Sequence, residues 1–338
     1  MPKEKVRVLV TIPLGLYRRV SRVEDEEKLR SFAEVVFNYY DRNLTEDELA
    51  ELVRGVDGCI TSWGSPCFTR KVLENADRLK IIGHAAGSVK PYVTDEVFKR
   101  GIVVVNAASV IAVAVAEFTL AMILNCLRGI PQHIEALKRK NWGFRETKPF
   151  KTYDLRGKTI GLVGFGLVAR ELVKLLKPFN VRLLVYDPHF PSEMLKEYGV
   201  EGVSLEELLS NSDIVSLHAA LTPETYHMIG ERELKMMKPT AYLVNTSRGA
   251  VVDEQALIKA LKERWIAGAA LDVFEEEPLP PHSPFYELDN VLLTPHIAGP
   301  SDERLSMLFG VVVEDFMRFF SGEPPLNVVR YEELSYRA

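Results

Sequence analysis

One segment restricts this chain more than any other. A short apolar run, Thr159 to Val163, passes into Gly164-Phe165-Gly166 and then into a stretch of helical periodicity, Leu167 to Leu176. A second apolar run, Val181 to Tyr186, follows and ends at Asp187. Strand, glycine turn, helix and strand in this order spell a βαβ unit, the connection that parallel neighbouring strands require. In such a unit the glycines let backbone approach a pyrophosphate, the helix N-terminus faces its negative charge, and the acid takes ribose hydroxyls. The third glycine of the pattern is Ala169, which suffices where only a small residue is needed for helix-on-strand packing. Asp187 falls 23 positions after Gly164, near the separation of about 20 that the pattern requires. No Arg follows Asp187 directly, so the expected cofactor is NAD, because a 2′-phosphate would be repelled by that carboxylate.

The chain has 338 residues and a formal net charge of −5, enough for about two domains. Its basic residues are scattered, which argues against nucleic acid or an anionic membrane as a partner. The N-terminal MPKEKVRVLVTIP runs straight into a strand and has no apolar leader. Val103 to Leu127 is very apolar but is interrupted by Asn106, Ser109, Glu117 and Asn125, so it reads as a buried helix and not a membrane span. Cys59, Cys67 and Cys126 are odd in number and lack metal-ligand spacing, so no metal is expected and a reducing cytoplasm is.

Two α/β units are expected. The first alternates strands (Val6 to Ile12, Gly58 to Ser62, Leu79 to His84, Ile102 to Asn106) with helices (Glu46 to Arg54, Arg70 to Ala76, Thr94 to Lys99). Thr45 and Glu48 have the form of a capping box. A long helix from about Ala112 to Leu127 and a polar arm, Asn141 to Tyr153, lead into the glycine unit. Beyond Asp187, strands are expected at Ile214 to His218, Ala241 to Asn245, Ala267 to Asp272 and Val291 to Thr294. A final helix, Asp302 to Phe320, would return to the first unit and make it discontinuous.

Three side chains follow late strands: Arg248 in NTSRGAVVDE, Glu277 in LDVFEEEP and His296 in LLTPHIAG. Open parallel sheets bind ligands at this edge. Together, a guanidinium can hold a carboxylate and polarise a carbonyl, an imidazole can move a proton, and a carboxylate can orient the imidazole and favour its charged form. Taken singly, each has a plainer reading as a turn brace, a solvated acid or a loop histidine.

The pieces GLVGFGLVAREL, LVYDP, SDIVSLHAALTPET, LVNTSRGAVVDEQAL, GAALDVFEEEP and NVLLTPHIAG stand in order between Leu79 and Gly299. In this the chain resembles the D-isomer-specific 2-hydroxyacid dehydrogenase family. The resemblance implies an α/β fold of two parallel-sheet domains, Rossmann-like and flavodoxin-like, with the active site in the cleft between them. Residues 108–300 would form the NAD-binding domain, and 1–107 with 301–338 the substrate-binding one. It further implies hydride transfer between NAD(H) and a small 2-hydroxy or 2-oxo acid, and a homodimer formed through residues 112–153. Matched position by position, Arg248 binds substrate carboxylate and carbonyl, His296 is the acid/base, and Glu277, immediately before Pro278, pairs with it. Contacts to the cofactor would come from Gly164, Gly166, Leu167 and Val168 at the phosphates, Asp187 at the ribose, and Ala219, Ala220, Thr225, Thr246 and Ser247 along the cleft. Asp272 would lie near the carboxamide, with Arg248, His296 and Gly299 beside it.

The first unit departs from the family pattern. Where members commonly carry RAGxGxDNID, this chain has His84-Ala85-Ala86-Gly87-Ser88-Val89-Lys90-Pro91-Tyr92. Ala86, Gly87 and Ser88 can still offer a substrate carboxylate their loop. Lys90 is either a solvated lysine or a cation near the far end of the substrate, and Trp63 either packs or walls the pocket. Two other readings stay open: a formate- or phosphite-type dehydrogenase of the same superfamily, the formate type of which would pair its histidine with Gln, and an NAD-sensing corepressor-like or scaffold protein on the same fold.

Overall fold

The computed structural model describes residues 5–335, which divide into two compact units. The first comprises the chain up to Ile111 together with the segment from Pro300 onward. Its five strands, β1 (Val6–Val10), β2 (Ala33–Phe37), β3 (Gly58–Thr61), β4 (Ile81–His84) and β5 (Val103–Asn106), are all parallel in the order β2-β1-β3-β4-β5. The β2 strand and the two helices before it, Leu14–Val20 and Val23–Phe32, go beyond what the sequence pattern indicates. The reason is local. Helix Val23–Phe32 runs into β2 with no glycine or proline between them, and an edge strand carries only a partly buried, weakly alternating face. The capping box does form, with Glu48 N–H donating to Thr45 Oγ1 and Thr45 N–H to Glu48 Oε2.

Helix Leu308–Phe320 lies directly on this first sheet. A Cβ at Gly83 would stand 2.2 Å from Val312 Cγ1, and one at Gly58 would stand 2.7 Å from Phe316 Cε1. The two glycines in β3 and β4 are therefore what allow Val312 and Phe316 to reach the sheet. The expected single C-terminal helix is two, Asp302–Leu305 and Leu308–Phe320, parted at Ser306, whose hydroxyl donates to the Glu303 carbonyl. Such a hydroxyl competes with the helical ladder.

The second unit, Ala112 to Gly299, holds seven parallel strands: β6 (Thr159–Val163), β7 (Arg182–Tyr186), β8 (Glu201–Gly202), β9 (Ile214–Leu217), β10 (Tyr242–Asn245), β11 (Gly268–Leu271) and β12 (Val291–Leu293). Their order is β12-β11-β10-β9-β6-β7-β8. Alternate residues enter different apolar clusters: Leu243 packs with Leu257 and Leu261, whereas Tyr242 and Val244 pack with Ile123, Leu172 and Leu176. Both faces are thus covered by helices, as a parallel sheet requires.

Among the described residues one helix, Ala108–Arg128, is long and apolar enough to cross a membrane. Ala116, Met122, Ile123 and Leu127 nevertheless bury its inner face in the core of the second unit, which accounts for its composition. The following helix, Ile130–Lys138, exposes Ile130, Ile134 and Leu137, all on one side of the helix.

Candidate active site at the carboxyl edge of the second sheet

Strand order in the second unit reverses between β6 and β9, which opens a crevice beyond their carboxyl ends. The glycine turn sits there. Gly164 has φ +91°, and a Cβ on it would stand 2.8 Å from the Ala219 nitrogen at the end of β9. No other residue fits both the torsion and the space. A Cβ at Gly166, by contrast, would meet nothing, so the N-terminus of helix Leu167–Leu176 opens with Leu167 exposed and Val168 half-buried. Asp187, one residue past β7, accepts the Phe165 amide at 2.7 Å and the His189 amide at 2.9 Å. It thereby holds the glycine turn from the neighbouring strand end. After β9, Ala219 and Ala220 are half-buried, and the Thr225 hydroxyl donates to the Ala220 carbonyl at 2.6 Å while accepting the Thr222 amide.

Arg248, Glu277 and His296 lie on the loops after β10, β11 and β12, three consecutive strands of the sheet. The first loop is braced by Asn245. Its Oδ1 accepts the Ser247 amide and hydroxyl, and its Nδ2 donates to the Arg248 carbonyl. Thr246, nearly buried, shares a 2.8 Å hydrogen bond with Thr119 of the long helix. Arg248 donates from Nη1 to the Ser247 carbonyl at 2.7 Å. Gly249 comes next, and a Cβ there would fall 1.9 Å from the Phe274 carbonyl carbon. Only a glycine lets the Arg248 loop touch the Glu277 loop.

Glu277 and His296 form a direct pair, with Oε2 2.6 Å from Nδ1. The other oxygen of Glu277 accepts the Phe274 amide at 3.0 Å. The imidazole is half-exposed and its backbone is left-handed, at φ 52°. A histidine in that region costs energy unless its surroundings over-determine it. Asp272 does so. Fully buried, it accepts the Thr294 hydroxyl (2.6 Å) and the amides of Ile297 (2.9 Å) and Ala298 (2.8 Å), while its own carbonyl accepts the His296 amide (2.8 Å). Gly299 follows in open space.

Residues 120–298 match the family model described as D-isomer specific 2-hydroxyacid dehydrogenase, NAD binding domain. The chain belongs to this family. It is 40% identical over 307 residues to the glyoxylate reductase of Korarchaeum cryptofilum, covering 88% of this chain and 92% of that one. It is 38% identical over 325 residues to the D-3-phosphoglycerate dehydrogenase of Methanocaldococcus jannaschii, covering 96% of this chain but spanning 59% of that longer protein. Among solved structures, D-mandelate dehydrogenase of Rhodotorula graminis superposes with a TM-score of 0.84 at 26% identity, covering 97% of this chain and 98% of the other. Members of this family are oxidoreductases acting on the CH–OH group, and the cofactor of this chain is NAD. The second unit suits it: the Gly164 cradle, the open helix start after Gly166, and a carboxylate at the end of β7 match a pyrophosphate and a ribose.

Three further polar residues beside the site, His227, Asp253 and Glu275, escape sequence reasoning, because each looks like an ordinary loop or capping residue. Their ligand-capable atoms lie within 4.8 Å of one another. A backbone amide donates to one oxygen of each carboxylate, Ala256 to Asp253 Oδ1 and Glu254 to Glu275 Oε1, which fastens both acids to their own loops.

In the first unit, Ala86, Gly87 and Ser88 form the loop after β4, with Gly87 and Ser88 half-buried and Ala86 buried. Asn106 Nδ2 donates to the Gly87 carbonyl at 2.7 Å, which fixes the loop's orientation. Lys90 and Trp63 are exposed. His84 is not: at 1% exposure its Nδ1 is 2.9 Å from Thr61 Oγ1, its ring lies over Tyr92, and Nε2 has no hydrogen-bond partner among the described residues. Tyr92 in turn accepts the Gly64 amide, so the stack ties the Trp63 loop to the Ala86–Ser88 loop.

Burial lowers the pKa of His84 from 6.5 to about 4, since the imidazolium would carry an unpaired buried N–H. The unfolded chain binds that proton near 6.5, and the folded chain does so only near 4. The contribution of His84 to stability is therefore intact above pH 6.5 and lost as pH falls toward 4, by on the order of 3 kcal/mol. His218, lowered to about 4 by burial, acts in the same direction. Urea titrations from pH 7 to 4 should show a shallower loss of stability in His84→Gln than in wild type; parallel curves would refute the assignment.

Proposed function

We propose that the chain interconverts a small 2-oxo acid, glyoxylate or a close relative, and the corresponding 2-hydroxy acid, with Arg248, Glu277 and His296 as its working residues. The observation that carries this is the 2.6 Å pair between Glu277 and His296 at adjacent strand ends. When bound, the nicotinamide supplies or accepts the hydride at C2.

The protein's share of the chemistry follows from the geometry. Glu277 occupies Nδ1, and this leaves Nε2 of His296 as the atom that exchanges a proton with the substrate oxygen. In reduction Nε2–H protonates the carbonyl oxygen as C2 gains the hydride; in oxidation the bare nitrogen takes the hydroxyl proton. Arg248 holds the substrate carboxylate and stabilises negative charge as it grows on the oxygen. Ala86, Gly87 and Ser88 are the first unit's candidates for contact with a substrate carboxylate, and exposed Lys90 is either a solvated lysine or the candidate for a distal substituent. Cofactor contacts run from Gly164, Gly166, Leu167 and Val168 through Asp187, Ala219, Ala220, Thr225, Thr246 and Ser247 to Asp272 and Gly299. The 1–107 plus 301–338 domain binds substrate, and 108–300 binds NAD. Free Cys59, Cys67 and Cys126 suit a cytoplasmic enzyme.

The names of the relatives support the substrate class, since seven of those compared are glyoxylate reductases. A panel of 2-oxo acids headed by glyoxylate, followed by loss of NADH absorbance, tests it. His296→Ala should lose at least about 100-fold in kcat while binding NADH as wild type does. Glu277→Gln should lose kcat more than it raises KM. Near-normal kcat in His296→Ala would assign the proton to another group.

Cofactor choice rests on Asp187. NADH should exceed NADPH by roughly tenfold or more in kcat/KM, a difference of about 1.4 kcal/mol. Equal efficiencies would contradict that role.

A homodimer through residues 112–153 is supported by the exposed Ile130, Ile134 and Leu137 stripe and by Trp142 beyond it. Sedimentation equilibrium should give a dimer that Ile134→Asp weakens, and a monomeric wild type would exclude this contact.

A further inference from the structure

His227 is left-handed at φ 52°, as His296 is, yet it lies outside the trio. Its ring stacks on Tyr226 at 4.0 Å, and its Nε2 approaches Glu275 Oε1 to 2.8 Å, within ion-pair range but outside hydrogen-bond geometry. Its amide donates to the Ala250 carbonyl, two residues past Arg248, and the pairing continues from Ile229 N–H to Val251. Glu275 is tied again from the other side: its Oε1 accepts the Glu254 amide at 2.8 Å, and its own amide donates to Glu254 Oε2 at 3.2 Å. Three segments are thereby fastened together: 227–229, 250–254 and 274–277. The third carries the Phe274 amide that holds Glu277, and Glu277 holds His296. A strained, non-glycine backbone persists only where its neighbours enforce it, and such positions gather at working sites.

We infer that His227 is a positioning residue for proton transfer: through Glu275 it sets the Phe274–Glu277 loop, and with it the direction in which Glu277 presents His296. The inference rests on the proton-transfer roles proposed for Glu277 and His296. A loop displaced by a fraction of an ångström would misdirect Nε2 without disturbing the glycine turn or Asp187, which follow β6 and β7.

The test is a double-mutant cycle on the full-length protein, with NADH and the best 2-oxo acid of the panel. His227→Ala should lower kcat by about 10-fold or more with KM for NADH changed less than about twofold. His227→Asn, which tolerates the left-handed backbone and keeps an N–H donor, should recover most of that loss. Because His227 acts through Glu277, adding His227→Ala to Glu277→Ala should cost less than about twofold more. Wild-type kcat in His227→Ala beside an impaired Glu277→Ala overturns the inference, as does a full repeat of the loss in the double variant. An unimpaired Glu277→Ala instead overturns the proton-pair reading itself, and the inference with it. If His227→Ala does not fold, Glu275→Ala, which removes the other end of the clamp, is held to the same criteria.

Discussion

The buried carboxylate of Asp272 is the point on which the working end of the second sheet depends. It gathers one hydroxyl and two amides from the segment after β12, and its carbonyl takes a third amide. A carboxylate so deeply buried is tolerable only because its oxygens are supplied with donors, and those donors would in turn be stranded without it. The arrangement forces His296 into a left-handed backbone and presents its ring at the sheet edge. Asp272 is thus a structural anchor for the imidazole.

Close backbone approach is the second constraint. Gly164 against Ala219 brings β6 and β9 together at the reversal of strand order, and Gly249 against Phe274 brings the loops of β10 and β11 together. Each replaces a side chain by contact between main chains, which is stiffer than contact between rotamers. Site geometry therefore rests on backbone, with Arg248, Glu277 and His296 as the projecting groups.

The first unit uses a different device. Its loops after β3 and β4 are joined through side chains, with Thr61 on His84, His84 on Tyr92 and Tyr92 on Gly64. The His84 imidazole, standing where related sequences often have Arg, is buried and neutral instead of projecting as a charge. The neighbouring Gly87–Ser88 loop is half-buried and held by Asn106.

Much of this was legible in one dimension. Periodicity located ten of the twelve strands, all but β2 and β8, and the glycine turn, Asp187 and the three late loop residues were all visible as local patterns. The β8 and β2 edges were not, because a two-residue strand and a half-exposed one carry almost no alternation. Nor did sequence show that His227 and Glu275, 48 positions apart, would meet, or that His84 would be buried. Local propensity and spacing are properties of neighbours along the chain, so the sequence by itself determined the element types, the dinucleotide unit and the family. Pairings between distant loops depend on strand order and on which backbones can approach, so only the tertiary structure decided how Asp272, Gly249 and His227 brace the site.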